Sequence, residues 1–166
     1  MHVHSFPPIS DPTCRVLILG SMPGKASLRA NQYYAHPQNA FWRILSAFFE
    51  IPADAPYERR LAGLIRNRLA LWDVLRSCTR ESSLDSDIVE ASIVPNDFAA
   101  FLAEHPNLRT LCFNGAKAEA CFRRYVLSSL PEHDLACHRL PSTSPANASI
   151  PYSAKLAAWQ VVRESA

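Results

Sequence analysis

Blocks of apolar and polar positions follow one another along the chain, and their period changes from block to block. Cys14–Gly20 (CRVLILG) is a continuous apolar run closed by glycine, the pattern of a strand buried on both faces. Ser21–Pro37 is polar and reads as irregular, with two prolines and the pair Tyr33–Tyr34. From Asn39 to Phe49 (NAFWRILSAFF) apolar residues recur at helical spacing, with Pro37 near the start. Tyr57–Arg68 predicts a second, basic helix. Leu69–Leu75 (LALWDVL) is the next apolar run, followed by a polar loop over Arg76–Asp87. Further on, the pattern predicts a helix opened by proline at Pro95–Glu104, a strand at Leu108–Phe113 and a helix at Ala116–Leu130. A short strand at Leu135–Leu140 (LACHRL), a proline-serine loop at Pro141–Pro151 and a closing helix from Ser153 to Glu164 complete the chain.

Strands that alternate with helices pair in parallel through right-handed crossovers, which predicts an α/β sheet covered on both faces. Ligands of such sheets bind beyond the carboxyl ends of the strands. Gly20–Met22, Arg76–Asp87, Asn114–Gly115 and Pro141–Pro151 all follow strands and are expected to converge on one rim. The 166 residues suit one domain, 1–166, with no repeat or interdomain linker. No stretch approaches the ~20 apolar residues of a membrane span, and MHVHSFPPISDP lacks the pattern of a secretion signal. Five scattered cysteines without a CxxC read as reduced thiols, so a cytoplasmic monomer without a membrane partner is expected.

Charge changes the picture only when mapped. Net charge is +2, too small to name a partner. However, no acid lies between Asp11 and Glu50, or between Asp134 and Glu164. These two windows hold seven basic residues, which leaves −5 for the rest of the chain. Arginine supplies 14 of the 17 basic residues, the type suited to bidentate phosphate contacts. Two readings stay open here: chance clustering on a solvated face, or two loops that meet a polyanion.

Several motifs can be set aside. GSMPGKAS (Gly20–Ser27) has one residue too few between its glycines for a phosphate-binding P-loop, and Ala26 follows Lys25 where a Ser or Thr would bind Mg²⁺. There is no GxSxG elbow for a serine hydrolase. His138, within a buried-looking strand, reads as a core histidine, whereas His36, in a loop beside aromatics and a proline, is a functional candidate. Neither acid-free window contains paired carboxylates, so conventional two-carboxylate chemistry is not expected on those loops. No Cys/His cluster has metal-ligand spacing, so no metal or other cofactor is expected. What remains is neutral. HPQNAFW (His36–Trp42) joins Asn39 to two aromatics at a helix entrance, and LPSTSPANAS (Leu140–Ser149) is a stiff loop of serines, prolines and an asparagine.

The blocks GSMPG, YYAHPQNAFW, LWDVLRSCTRESSLDSDI, FNG and LPSTSPAN, in this order from about Val16 to the closing helix, resemble the hypoxanthine-DNA glycosylase family of the uracil-DNA glycosylase superfamily. The resemblance implies a three-layer α/β/α sandwich around a four-stranded parallel sheet. It also implies metal-free, monofunctional excision of a deaminated base from damaged DNA. GSMPG stands where the superfamily has its water-activating motif, but Met22 can activate nothing. The resemblance instead makes Asn39 the catalytic amide and Asn114 a second pocket amide. It places Asp73 where relatives read the base edge, and LPSTSPAN where they grip DNA. Relatives that excise uracil fastest carry a histidine at the head of that block; Leu140 stands there, which counts against strong uracil activity.

Chemistry then assigns the remaining roles. A base inside a duplex must be flipped into a pocket before it can be excised. Hypoxanthine needs an aromatic face, from Phe41 or Tyr34, and polar partners for N1–H and O6, from Asn114 or Asp73. Asn39 can hold the attacking water but cannot ionise. Ser21, Ser142 and Ser144 are expected to grip flanking phosphates, with Pro23 and Pro145 stiffening the turns; His36 and Asn147 are further DNA-binding candidates, and Ile150 is expected to wedge into the duplex. Two other classes share these features: a lesion- or single-strand-binding module without catalysis, and a nucleoside hydrolase acting on free inosine.

Overall fold

The computed structural model describes residues 1–166. In chain order the elements are β1 (His2–His4), β2 (Val16–Gly20), α1 (Lys25–Ala30), α2 (Phe41–Phe48), α3 (Tyr57–Arg66), β3 (Leu69–Asp73) and β4 (Leu75–Thr79). They continue with β5 (Val94–Pro95), α4 (Phe98–Glu104), β6 (Thr110–Asn114), α5 (Ala116–Tyr125), β7 (Ala136–Leu140) and α6 (Tyr152–Ser165). The central sheet has four parallel strands in the order β3-β2-β6-β7.

Side-chain alternation along the central strands creates the layers. Val16 and Ile18 of β2 point into a core shared with Trp42, Ile44, Leu64 and Trp159 of α2, α3 and α6. Leu17 and Leu19 point the other way, toward Phe98, Phe101 and Phe122 of α4 and α5. The result is the expected three-layer α/β/α sandwich around a four-stranded parallel sheet. Trp159 is fully buried and donates its indole N–H to the Pro141 carbonyl at 2.9 Å, so the closing helix also fixes the start of the proline-serine loop. Truncating such a residue to alanine costs about 3–5 kcal/mol.

The structure corrects several expectations. Arg76–Asp87 is not all loop, because β4 pairs antiparallel with β1 and β5 in a second sheet, β1-β4-β5. Its Leu75, Ser77 and Cys78 are buried, while Arg76 faces solvent. The segment after β2 contains helix α1, whose first N–H, on Lys25, is bonded by Ser83 Oγ and whose end is turned by Asn31 at φ 53°. The fourth helix starts at Phe98, since Asp97 accepts from Ala100 N–H as a cap and Pro95 belongs to β5. Finally, β7 is an edge strand in which only Leu140 is buried. His138 is therefore half-buried on an edge, not a core histidine.

Connectivity positions the site. The chain leaves β2 toward β3 on one side of the sheet, then returns to β6 on the other. The carboxyl ends of β2 and β6 thus flank the point where the strand order reverses, the place such sheets bind ligands.

Candidate active site

A cleft of about 630 Å³ opens at this rim. It is lined by Gly20–Ser27, by Asp73, by Ser83–Ser86, by Asn114–Ala116 and by the loop after β7, with Tyr34, His36 and Asn39 at its side. The expected convergence of the loops after the strands is therefore observed.

One wall grows from β2 and β3. Asp73 ends β3 beside Gly20, and a Cβ on Gly20 would lie 2.6 Å from Asp73 Oδ1 and 3.3 Å from the Tyr34 hydroxyl. Only glycine lets the carboxyl and the phenol close over the end of β2. Both groups are starved of partners, because Asp73 Oδ2 and the Tyr34 hydroxyl are buried without a hydrogen bond. The Asn114 amide lies near that hydroxyl but forms no well-aligned bond with it. Burial, reinforced by the charge of Asp85 and opposed by Arg80, pushes the Asp73 carboxyl up to about 7. At neutral pH it can therefore both donate and accept. Burial, with Asp73 next in weight, likewise holds the Tyr34 phenol above its ordinary value.

The aromatic face belongs to Tyr34. Its backbone is left-handed, at φ 55°, an uncommon conformation for a non-glycine residue and one that persists where the surroundings enforce it. Its ring stacks on Phe41 with centroids 3.9 Å apart and planes at 18°. Phe41 is fully buried behind it and does not line the cleft. Phe41 thus buttresses the face instead of presenting one, which corrects its expected place in the base pocket. Tyr33 and Trp42 are core residues, joined by the Trp42 indole N–H to the Tyr33 carbonyl at 3.1 Å.

Asn39 sits just before α2 at the cleft. Its Oδ1 accepts from Phe41 N–H at 2.9 Å, so from the position before the N-cap Ala40 it satisfies the first free N–H of the helix, as a cap does. One Oδ1 lone pair and the whole Nδ2 amine remain for a ligand. His36 Nδ1 accepts from Gln38 N–H at 3.1 Å, which leaves Nε2 to face outward.

The opposite wall is the loop after β7. Asn114 clamps it twice: Oδ1 accepts from Thr143 N–H at 2.9 Å and Nδ2 donates to Thr143 Oγ1 at 3.0 Å. The Thr143 carbonyl in turn accepts from Ala40 N–H at 3.0 Å, tying this loop to the Asn39 turn. Ser142 Oγ accepts from Ser144 N–H, Ser144 Oγ accepts from Ala146 N–H, and Asn147 Nδ2 donates to the Ser142 carbonyl. Each serine keeps its hydroxyl hydrogen for an outside acceptor. Gly115 stands at φ 98°, and a Cβ there would press on Ser142 at 3.2 Å, so this glycine is required by both conformation and space.

Of the residues singled out in the sequence, all but Phe41 line this one cleft, and Leu140 and Ile150 join them. Ser21 differs in role. It is buried and its hydroxyl donates to Asp85 Oδ1 at 2.5 Å, so it faces a carboxylate and not a phosphate. Asp73 and Asp85, both outside the acid-free windows, bring two carboxyls to the cleft. Sequence reasoning missed Asp85, Thr143 and Arg80. Arg80 is 1% exposed and donates to the Pro23 carbonyl, with Nε and Nη1 buried and unpartnered. The block LRSCTRESSLDSDI contains both Arg80 and Asp85, and was the signal available.

A parallel-sheet sandwich thus gathers a tyrosine, a strand-end carboxyl and an amide at one rim. The model of the uracil DNA glycosylase superfamily matches residues 7–163. The chain belongs to that superfamily and is a DNA glycosylase. It is 45% identical over 114 residues to a hypoxanthine DNA glycosylase of Methanosarcina acetivorans, covering 68% of this chain and 71% of the relative. With the hypoxanthine DNA glycosylase of Methanosarcina barkeri it shares 41% identity over 119 residues, 71% of this chain and 74% of the relative. A solution NMR structure from Methanosarcina acetivorans, assigned provisionally as a uracil DNA glycosylase, superimposes with a TM-score of 0.82. That protein is 35% identical, and the match covers 98% of this chain and 97% of the other.

Proposed function

We propose that the protein excises hypoxanthine, the product of adenine deamination, from DNA in preference to uracil, by hydrolysis at C1′ with a water positioned by Asn39. The observation that carries this reading is the pairing of the Tyr34 face with the Asp73 carboxyl at the closed end of the cleft. A flipped hypoxanthine stacked on Tyr34 offers N1–H and O6. A carboxyl poised near neutrality accepts from the first and, when protonated, donates to the second. Two hypoxanthine glycosylases among the relatives support the same substrate. Leu140, buried at the head of the second loop and lining the cleft, offers no donor to the oxygen of a departing uracil.

Asn39 stays neutral, so its part is to aim the water and not to deprotonate it, and positioning contributes several kcal/mol. Ser142, Ser144 and His36 Nε2 supply donors to the phosphates beside the flipped sugar, with Pro23, Pro145 and Asn147 shaping the loops. Ile150, half-buried at the rim, is the proposed wedge. The reading includes a monomer that needs no metal or other cofactor. The test compares base release from a deoxyinosine oligonucleotide with release from free deoxyinosine. Release from the oligonucleotide alone is expected. Equal release from the nucleoside would make the protein a nucleoside hydrolase, and tight binding without release would make it a binding module.

A further inference from the structure

The Ser21–Asp85 contact has no part in the chemistry assigned so far. A serine hydroxyl has one hydrogen and two lone pairs. The Ser21 hydrogen is directed at Asp85 Oδ1, 2.5 Å away and 64 residues along the chain. Toward the cleft, Ser21 is therefore an acceptor. The segment that carries Asp85 is fixed from both sides. Arg80 holds the Pro23 carbonyl, Ser83 Oγ holds Lys25 N–H at 2.9 Å, and the Ser82 hydroxyl holds Asp87. Ser21, Asp85 and Asn39 all line the cleft. Asn39 Oδ1 has one lone pair left after its bond to Phe41 N–H. Neither Asn39 nor Met22 can take a proton. Asp73 is 4% exposed, over Gly20, and makes no hydrogen bond with the Ser21 hydroxyl.

We propose that Ser21 and Asp85 form a proton relay that acts with Asn39 on the hydrolytic water, which deepens the glycosylase reading above and rests on it. A water between them gives one hydrogen to Asn39 Oδ1 and the other to Ser21 Oγ, leaving an oxygen lone pair for C1′. As the water oxygen bonds to C1′, the bond from C1′ to the base breaks and its electron pair leaves with the base. The water proton passes to Ser21 Oγ while the Ser21 proton passes to Asp85. Asp85 ends as a neutral acid and the sugar as an abasic hemiacetal. Before the transfer, the Asp85 carboxylate also places negative charge on the wall facing a sugar that becomes cationic. Asp85 thus stands in, from a different loop, for the acid that the position of Met22 lacks.

The test is single-turnover base release by Asp85→Asn, Ser21→Ala, the double variant and Asp85→Glu, with lesion-duplex affinity and melting temperature measured on each. Asp85→Asn keeps the size and a hydrogen bond to Ser21 but cannot take the proton. Each single change is expected to slow release by about 100-fold, the lower range for a lost general base. The double variant should be no more than about threefold slower than the slower single, because the two act as one unit. Affinity should stay within about threefold, as phosphate contacts dominate it, and Asp85→Glu should recover part of the rate. Should Asp85→Asn fail to fold, Ser21→Ala carries the same test. A variant rate close to wild type, or fully additive losses, overturns the relay while the glycosylase reading stands. A wild-type protein that releases no base from any lesion overturns that reading, and the relay with it.

Discussion

On the wall of the cleft built after β6 and β7, Asn114, Thr143, Ser142, Ser144 and Asn147 each hold a backbone group or one another. On the wall built after β2 and β3, the Tyr34 hydroxyl and Asp73 Oδ2 are buried and hold nothing, and so do two nitrogens of Arg80, a residue outside the cleft lining. Buried polar atoms are nearly always partnered, because each orphan costs about 1–3 kcal/mol. The Tyr34 and Asp73 orphans therefore mark where a ligand or solvent completes this wall. The other wall leaves no buried polar side-chain atom without a partner before anything binds. The first is built for chemistry, the second for grip, and substitutions on the two should fail in different ways.

The largest effect is expected from Asn39→Ala. Single-turnover release should drop by at least ~10²-fold, as when one positioned polar group leaves a reacting centre. Lesion-duplex affinity should barely move, because phosphate contacts supply most of it. Since Asn39 also caps α2 through Phe41 N–H, the variant should lose about 1 kcal/mol of stability as well. Cleavage at 25 °C, where the variant is still folded, separates the two consequences. A lower melting temperature with normal cleavage would reduce Asn39 to a cap.

Asn114→Ala breaks the grip wall instead. It removes both bonds to Thr143 and leaves a buried N–H without a partner, at about 1–3 kcal/mol. Melting temperature and affinity should both fall, while release at saturating enzyme changes far less than with Asn39→Ala. Normal affinity from a destabilised variant would show that the loop does not grip DNA.

A subtler contrast lies in pH. The folded pKa of Asp73, about 7, exceeds its ordinary value of 3.8, so the folded state binds this proton more tightly than the unfolded one. Stability therefore falls as pH rises from about 4 to about 7, and the penalty is complete above that window. Asp73→Asn removes the titration. It should raise the melting temperature relative to wild type at pH 8 and change it little at pH 4. Equal effects at the two pH values would mean that the carboxyl is not held neutral by burial.

The parallel sheet was legible because CRVLILG, LALWDVL and LRTLCF are short, mostly apolar runs bounded by polar or turn residues, and their strand segments are buried at every position. The second sheet was not, since LRSCT exposes its arginine and buries a serine, a pattern that reads as loop. His138 misled because the sequence does not announce that β7 closes an edge. Helix α1 has six residues, too few for a period to show. Among site residues, Asn39, Asn114 and the loop serines stood in recognisable blocks. Phe41 and Tyr34 could not be ranked, because nothing in their pattern shows that Tyr34 takes a left-handed backbone and stacks over a fully buried Phe41. Asp85 reaches Ser21 only through the packing of two loops far apart in sequence.

The central claim is that the chemical wall reads a deaminated purine. Single-turnover release from matched duplexes, one with deoxyinosine and one with deoxyuridine at the same position, tests it most directly. Alkali-labile sites should appear faster at deoxyinosine. A clear reversal, with deoxyuridine cleaved first, would contradict the account.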